Sequence, residues 1–202
     1  MSFEEFLKEC PAVAILRGIT PREIPEVCDI LAENGIRLLE IPLNSPDALA
    51  SIAIAVRHAG DRQMVGAGTV LTPEEARGVA AAGGRFAISP NTDPAVIRET
   101  KKLGMLSIPG FLTPSEAFVA LAAGADYLKL FPAGQFGTGY IRDIRAVIKA
   151  PIMAVGGVNA GNIPEFMKVC CGVGIGSALY KPGKTPAQIA ADAAAIVRAV
   201  KG

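Results

Sequence analysis

The sequence predicts an α/β fold: one (β/α)8 TIM barrel domain over residues 1–202, with an extra N-terminal helix. Three observations predict it. Short apolar runs recur every twenty to twenty-six residues. Longer stretches with helical patterning and most of the charges lie between them. The same helix-start signal recurs four times.

The runs are AVAILRG (12–18), LLEIPLN (38–44), MVGAGTV (64–70), FAISPN (86–91), LSIPGF (106–111), YLKLFP (127–132), IMAVGG (152–157) and GVGIGSALY (172–180). Each is nearly continuously apolar and is bounded by glycine, proline or asparagine. That pattern suits strands buried on both faces of a parallel sheet. Thr20-Pro21-Arg22-Glu23, Thr72-Pro73-Glu74-Glu75 and Thr113-Pro114-Ser115-Glu116 each read as a capping box with proline at the first helical position, and Thr185-Pro186-Ala187-Gln188 is the glutamine version. Gly35, Gly83, Gly104 and Gly124 fall where helices should end. The leading residues MSFEEFLKEC form the extra helix. An open doubly wound sheet is the alternative arrangement of the same elements.

Composition excludes several classes. Half of the 202 residues are apolar, enough for a sizeable core and too many for a disordered chain. Twenty basic residues against nineteen acidic leave a net charge of +1, so nothing points to nucleic acid or a membrane surface. The apolar runs are too short and too interrupted to span a bilayer. The acidic N-terminus lacks the basic and apolar regions of a signal peptide, so a cytoplasmic protein is expected. Cys10, Cys28, Cys170 and Cys171 show no C-x-x-C spacing and read as reduced, mostly buried thiols. His58 is the only histidine and reads as an exposed helix residue. This set of residues predicts no metal site.

Three charges stand where charges should not be. Arg17, Glu40 and Lys129 interrupt apolar strands, and a buried unpaired charge costs several kcal/mol. They should therefore share a polar site at the C-terminal ends of the strands, where parallel barrels build their sites. Strand alternation places Lys129 and Phe131 inward and Leu128 and Leu130 outward. It places Glu40, Pro42 and Asn44 inward, with Leu39, Ile41 and Leu43 outward. The same reasoning puts Thr69 on one face with Ala67 and Val65, giving small residues near the centre and a hydroxyl at the top. A lysine among Leu128, Leu130 and Phe131 is a candidate amine nucleophile, able to form a Schiff base with a carbonyl substrate. Desolvation and a neighbouring cation lower its pKa, whereas Glu40 raises it and can shuttle protons. Gly156-Gly157 follows the seventh run and Gly172–Ser177 covers the eighth, where such barrels hold phosphate on backbone N–H groups. The residues alone thus read as a barrel enzyme acting on a phosphorylated carbonyl compound through Lys129 and Glu40. A phosphosugar isomerase or phosphate-binding synthase, a non-catalytic binding scaffold, and a Lys–Glu pair that only fills the barrel remain open.

The motifs AILRGITP (14–21), EIPLNSP (40–46), GAGTVL (66–71), ISPN (88–91), LKLFP (128–132), AVGGV (154–158) and GIGSALY (174–180) together resemble the class I aldolases of the 2-keto-3-deoxy-6-phosphogluconate (KDPG) and 2-keto-3-deoxy-6-phosphogalactonate (KDPGal) group. The resemblance runs from about Pro11 to about Arg198. It implies Lys129 as the Schiff-base lysine, Glu40 as the general acid/base, Thr69 as a substrate contact and Arg17 as a substrate-binding arginine. It implies that the backbone at Gly156, Gly157, Gly176 and Ser177 forms the phosphate end, and that Pro90 and Phe131 shape the pocket around the pyruvyl part. The implied partners are a phosphorylated keto-deoxy sugar acid, pyruvate and glyceraldehyde 3-phosphate, in a homotrimer that needs no metal or cofactor. The gluconate enzymes carry an arginine where Asn44 stands, and AGQFGTGYI (133–141) also looks like the galactonate branch. The resemblance therefore favours KDPGal over KDPG or 4-hydroxy-2-oxoglutarate as substrate.

Overall fold

The computed structural model describes residues 1–202. Helix α1 (Phe3–Glu9) leads into strands β1 (Ala12–Ile15), β2 (Leu38–Pro42), β3 (Met64–Gly68), β4 (Phe86–Ile88), β5 (Leu106–Ile108), β6 (Gly110–Phe111), β7 (Leu128–Leu130), β8 (Ile152–Val155) and β9 (Gly172–Ile175). All ladders are parallel, in the order β5-β4-β3-β2-β1-β9-β8-β7-β6. The predicted eight runs become nine strands because 106–111 is split at Pro109, which has no N–H to give to a ladder. Its first half pairs with β4 and its second half with β7. The Pro109 carbonyl accepts from the Lys129 N–H at 2.9 Å. The two ends of the sheet are thus consecutive pieces of one run, and the sheet closes into a barrel rather than the open alternative.

Helices α2 (Ile24–Glu33), α3 (Ala48–Ala59), α4 (Pro73–Ala81), α5 (Pro94–Lys102), α6 (Pro114–Ala122), α7 (Ala133–Ile144), α8 (Ile163–Met167) and α9 (Pro186–Lys201) cover the outside. No helix is long and apolar enough to cross a membrane. The boxes at Thr72, Thr113 and Thr185 form as the sequence predicts, and Ser2 with Glu5 adds another at the start of α1. The Thr20 box does not form. The Glu23 carboxylate accepts from the Thr20 N–H at 2.9 Å and from its hydroxyl at 2.6 Å, but it closes a turn ahead of α2. Its other oxygen accepts from the Tyr180 hydroxyl at 3.1 Å, which ties that turn to the far end of the chain. Gly35, Gly83, Gly104 and Gly124 all sit at positive φ just past helix ends, as their spacing implies.

Two apolar layers follow from the strand alternation. Leu39, Ile41, Val65, Ala67, Leu128 and Leu130 point outward into the layer shared with the helices. Inside, toward the strand starts, Val13, Leu38, Met64, Phe86 and Met153 pack with Phe3, Phe6 and Leu7 of α1. Helix α1 is therefore a stopper, with Phe3 edge-on to Phe86 at 5.4 Å between ring centroids. The outward placement of Val65 and Ala67 corrects the expectation that they stand near the centre with Thr69; Gly66 and Gly68 hold the inner positions of β3. His58 is half-buried rather than exposed, with Nε2 2.9 Å from Asp29 Oδ1. Cys10, Cys28 and Cys170 are buried and Cys171 is half-buried, all four as free thiols. Burial pushes Cys28 and Cys170 up to about 12 and Cys171 to about 11.

A Cβ at Gly66 would enter the Phe86 ring and meet the Phe86 carbonyl oxygen. Gly66→Ala is expected to destabilise the barrel by about 1–3 kcal/mol through overpacking. Denaturant unfolding checks this: a wild-type midpoint in the variant would show that Phe86 and its strand move aside freely.

Candidate active site

A cavity of about 720 Å³ opens at the C-terminal ends of the strands. Arg17 reaches it from beyond β1, Glu40 from β2, Thr69 from the turn after β3 and Pro90 from the loop after β4. Lys129 of β7 and the adjoining Phe131 form one side, and Gly156, Gly157, Gly176 and Ser177 supply the loops after β8 and β9. All ten residues singled out from the sequence line this one space. A cavity of about 750 Å³ at the opposite end, beside α1, is lined by none of them.

The two central groups face each other. Strands β2 and β7 lie on opposite sides of the closed ring, and Glu40 and Lys129 project inward from them. Glu40 is 1% exposed and Lys129 5% exposed. Glu40 has room because Gly68 on the neighbouring strand carries no side chain: a Cβ there would fall on Glu40 Oε1 and lie 2.5 Å from its Cδ. Glu40 Oε2 has no hydrogen-bond partner. Burial raises the Glu40 carboxyl above the usual carboxylate range, against the opposing pull of Lys129 and Arg17. Burial lowers the Lys129 amine; Glu40 opposes that shift and Arg17 adds to it. Desolvation thus drives both groups toward their uncharged forms, a neutral amine facing a protonated carboxyl across the cavity.

The surrounding walls are equally specific. Lys129 Nζ lies 5.0 Å from the centroid of the Phe131 ring. Thr69 reaches the cavity because its φ of +56° breaks the strand alternation that would have turned it outward. A β-branched residue in that left-handed region costs about 1–3 kcal/mol, a strain characteristic of functional sites. Gly156 and Gly157, at φ of +91° and +73°, bring backbone close to backbone: a Cβ on Gly157 would lie 3.2 Å from Gly134 Cα. The Gly134 N–H donates to the Gly156 carbonyl at 2.8 Å. A Cβ on Gly176 would meet nothing within 4 Å, so that loop faces open space.

The sequence reading passed over Asn159 and Lys181, which also line the cavity. Lys181 follows directly on the GIGSALY motif, so a cation just beyond the last glycine loop was the available signal. Arg17, Lys129 and Lys181 set three basic side chains around one buried carboxyl group, Glu40. Such a cavity suits an anionic ligand with an electrophilic carbonyl.

Comparison with known proteins agrees with this chemistry. The family model described as KDPG and KHG aldolase matches residues 3–197. A Rhizobium meliloti (strain 1021) protein named "Probable 2-dehydro-3-deoxy-6-phosphogalactonate aldolase" is 45% identical over 194 residues, 95% of this chain and 92% of its own. The Escherichia coli (strain K12) 2-dehydro-3-deoxy-6-phosphogalactonate aldolase is 42% identical over 95% of both chains. A solved structure described as native KDPGal superposes with a TM-score of 0.92 at 42% identity, covering 95% of this chain and 94% of that one.

The direction of the Lys129 shift is testable. Lys129 is expected to react with an amine-selective reagent at lower pH than the exposed lysines, because its amine loses its proton earlier. Glu40→Gln removes the neighbour that raises the Lys129 pKa and should shift this reactivity to still lower pH. Mass-spectrometric labelling over a pH series reads both; labelling of Lys129 in step with the exposed lysines would contradict the desolvated environment.

Proposed function

The chain belongs to the KDPG and KHG aldolase family, and on that premise we propose that it is a class I aldolase cleaving 2-dehydro-3-deoxy-6-phosphogalactonate to pyruvate and glyceraldehyde 3-phosphate through a Schiff base on Lys129. The observation that carries the reading is the buried Lys129–Glu40 couple at the floor of a cavity rich in basic side chains. Names carried by the relatives at 42–45% identity support galactonate over gluconate.

The neutral Lys129 amine attacks the C2 keto carbon, and Glu40 delivers a proton to the oxygen as the carbinolamine forms. Loss of water, with proton transfer again through Glu40, leaves an iminium. Glu40, now a carboxylate, takes the C4 hydroxyl proton through a water. The electrons of the C3–C4 bond pass into the iminium, glyceraldehyde 3-phosphate departs, and an enamine remains. Protonation at C3 and hydrolysis release pyruvate and regenerate the amine. Arg17 and Thr69 bind substrate, Pro90 and Phe131 enclose the pyruvyl part, and the backbone at Gly156, Gly157, Gly176 and Ser177 takes the phosphate. Remote phosphate binding fixes the register of the reacting carbons without touching them.

The reading includes a single-domain, cytoplasmic protein that assembles as a homotrimer. Phe118 and Val119 of α6 and Phe136 of α7 leave apolar surface that a second copy would cover. The family chemistry calls for neither metal nor cofactor.

Borohydride reduction in the presence of pyruvate is expected to trap an adduct on Lys129, and Lys129→Met should abolish both adduct and cleavage while keeping the fold. Glu40→Gln should slow cleavage by about 10²–10⁴-fold yet still permit slow adduct formation. Turnover near wild type in Lys129→Met would refute the Schiff base, and an unchanged rate in Glu40→Gln would require another base. Assay of KDPGal beside KDPG under the same conditions decides the preferred epimer.

A further inference from the structure

The polar turn that follows Glu40 along its strand has a distinct task. Arg17 lies just beyond β1 and is exposed, with no carboxylate paired to it. Its Nη1 donates to Asn44 Oδ1 at 2.6 Å. The next residue, Ser45, is buried and accepts the Gly18 N–H on its Oγ at 2.9 Å. Gly18 is backed on its other side by Pro182, since a Cβ there would lie 2.8 Å from Pro182 Cγ. The backbone at 17–18 is thus fixed between two loops, and the guanidinium is fixed by a third contact. Asn44 does not itself line the cavity.

We propose that Asn44 is a positioning residue, which holds the Arg17 guanidinium toward the cavity for the carboxylate or phosphate of the substrate. This rests on the aldolase reading above. The chemistry of the partner matters. An amide oxygen orients a guanidinium through one of its five N–H groups and leaves the positive charge and the other donors available to an anion. A carboxylate in that place would orient it equally well but cancel its charge. An exposed arginine without a partner samples many rotamers and gives up that freedom only when the ligand binds. Asn44 removes that loss in advance, which is preorganisation of binding rather than of the chemical step.

The test is a double-mutant cycle on KM and kcat for cleavage, with Asn44→Ala, Arg17→Ala, the double variant, and Asn44→Asp. Asn44→Ala is expected to raise KM about tenfold with kcat within about twofold, the scale of a hydrogen bond to a charged group. In the Arg17→Ala background the same change should have no further effect, because Asn44 acts only through Arg17. Asn44→Asp should also raise KM, since the contact survives and the charge does not. Thermal unfolding at the wild-type temperature in each variant separates these effects from damage to the fold. Fold-changes that multiply independently of Arg17, a loss confined to kcat, or an Asn44→Asp variant that binds more tightly would each overturn the assignment. A wild-type protein that neither cleaves the substrate nor traps pyruvate would overturn the aldolase reading itself, and this inference with it.

Discussion

An amine and a carboxyl group held out of water, on opposite sides of one closed barrel, set the terms for the rest of this structure. Neither tolerates that environment in its charged form without help, and the carboxyl has an oxygen with no partner at all. A chain selected only for stability would do as well or better with apolar residues there. The neighbouring strand accommodates the carboxyl by leaving its own inner position bare at Gly68. Desolvation favours the uncharged form of the amine, the form the proposed Schiff-base chemistry requires.

Closure of the barrel is what brings the two groups face to face. It depends on one irregularity, the break at Pro109, which lets a single run pair with different neighbours on its two halves. At the other end α1 fills the barrel mouth with Phe3, Phe6 and Leu7, so the polar site is open on one side only. The division is physical: apolar side chains occupy the interior near the strand starts, and charge, glycine and left-handed backbone gather at the strand ends. The run from Glu40 to Ser45 crosses that boundary, carrying the acid/base candidate at its buried end and the contacts to Arg17 and Gly18 at its rim.

The proposed cleavage yields pyruvate and glyceraldehyde 3-phosphate, and both are anions. Arg17 and Lys181 on the cavity lining match that demand without relying on the buried Lys129 amine. The neutral amide of Asn44 is compatible with it, because it accepts from Arg17 without cancelling the guanidinium charge. In the proposed mechanism the tasks separate in space: proton transfer and covalent chemistry fall to the buried Lys129 and Glu40, anion recognition to the residues nearer the rim.

Much of this was legible in the sequence, because burial on both faces forces strands to be apolar and makes each exception conspicuous. Arg17, Glu40 and Lys129 stood out for that reason, and the outward sets Leu39, Ile41, Leu128 and Leu130 followed from alternation alone. The capping boxes at Thr72, Thr113 and Thr185 were equally local and formed as read. The failures are those where a distant contact outweighed a local rule. Glu23 serves Tyr180 as well as Thr20 in place of capping a helix, and His58 is held by Asp29. Val65 and Ala67 turn outward while Thr69 alone reaches the cavity, because a positive φ parts it from their face, a backbone state no side-chain pattern announces. Asn159 and Lys181 join the site only when the barrel brings the loops after β8 and β9 beside Arg17. The sequence by itself determined the parallel fold, the order of its elements and which two charged residues, Glu40 and Lys129, lie buried in one cavity, since these depend on burial and periodicity. Tertiary structure alone decided the closure at Pro109, the space above Gly68 and the hold of Asn44 on Arg17, since each is a contact between segments whose local patterns are silent about one another.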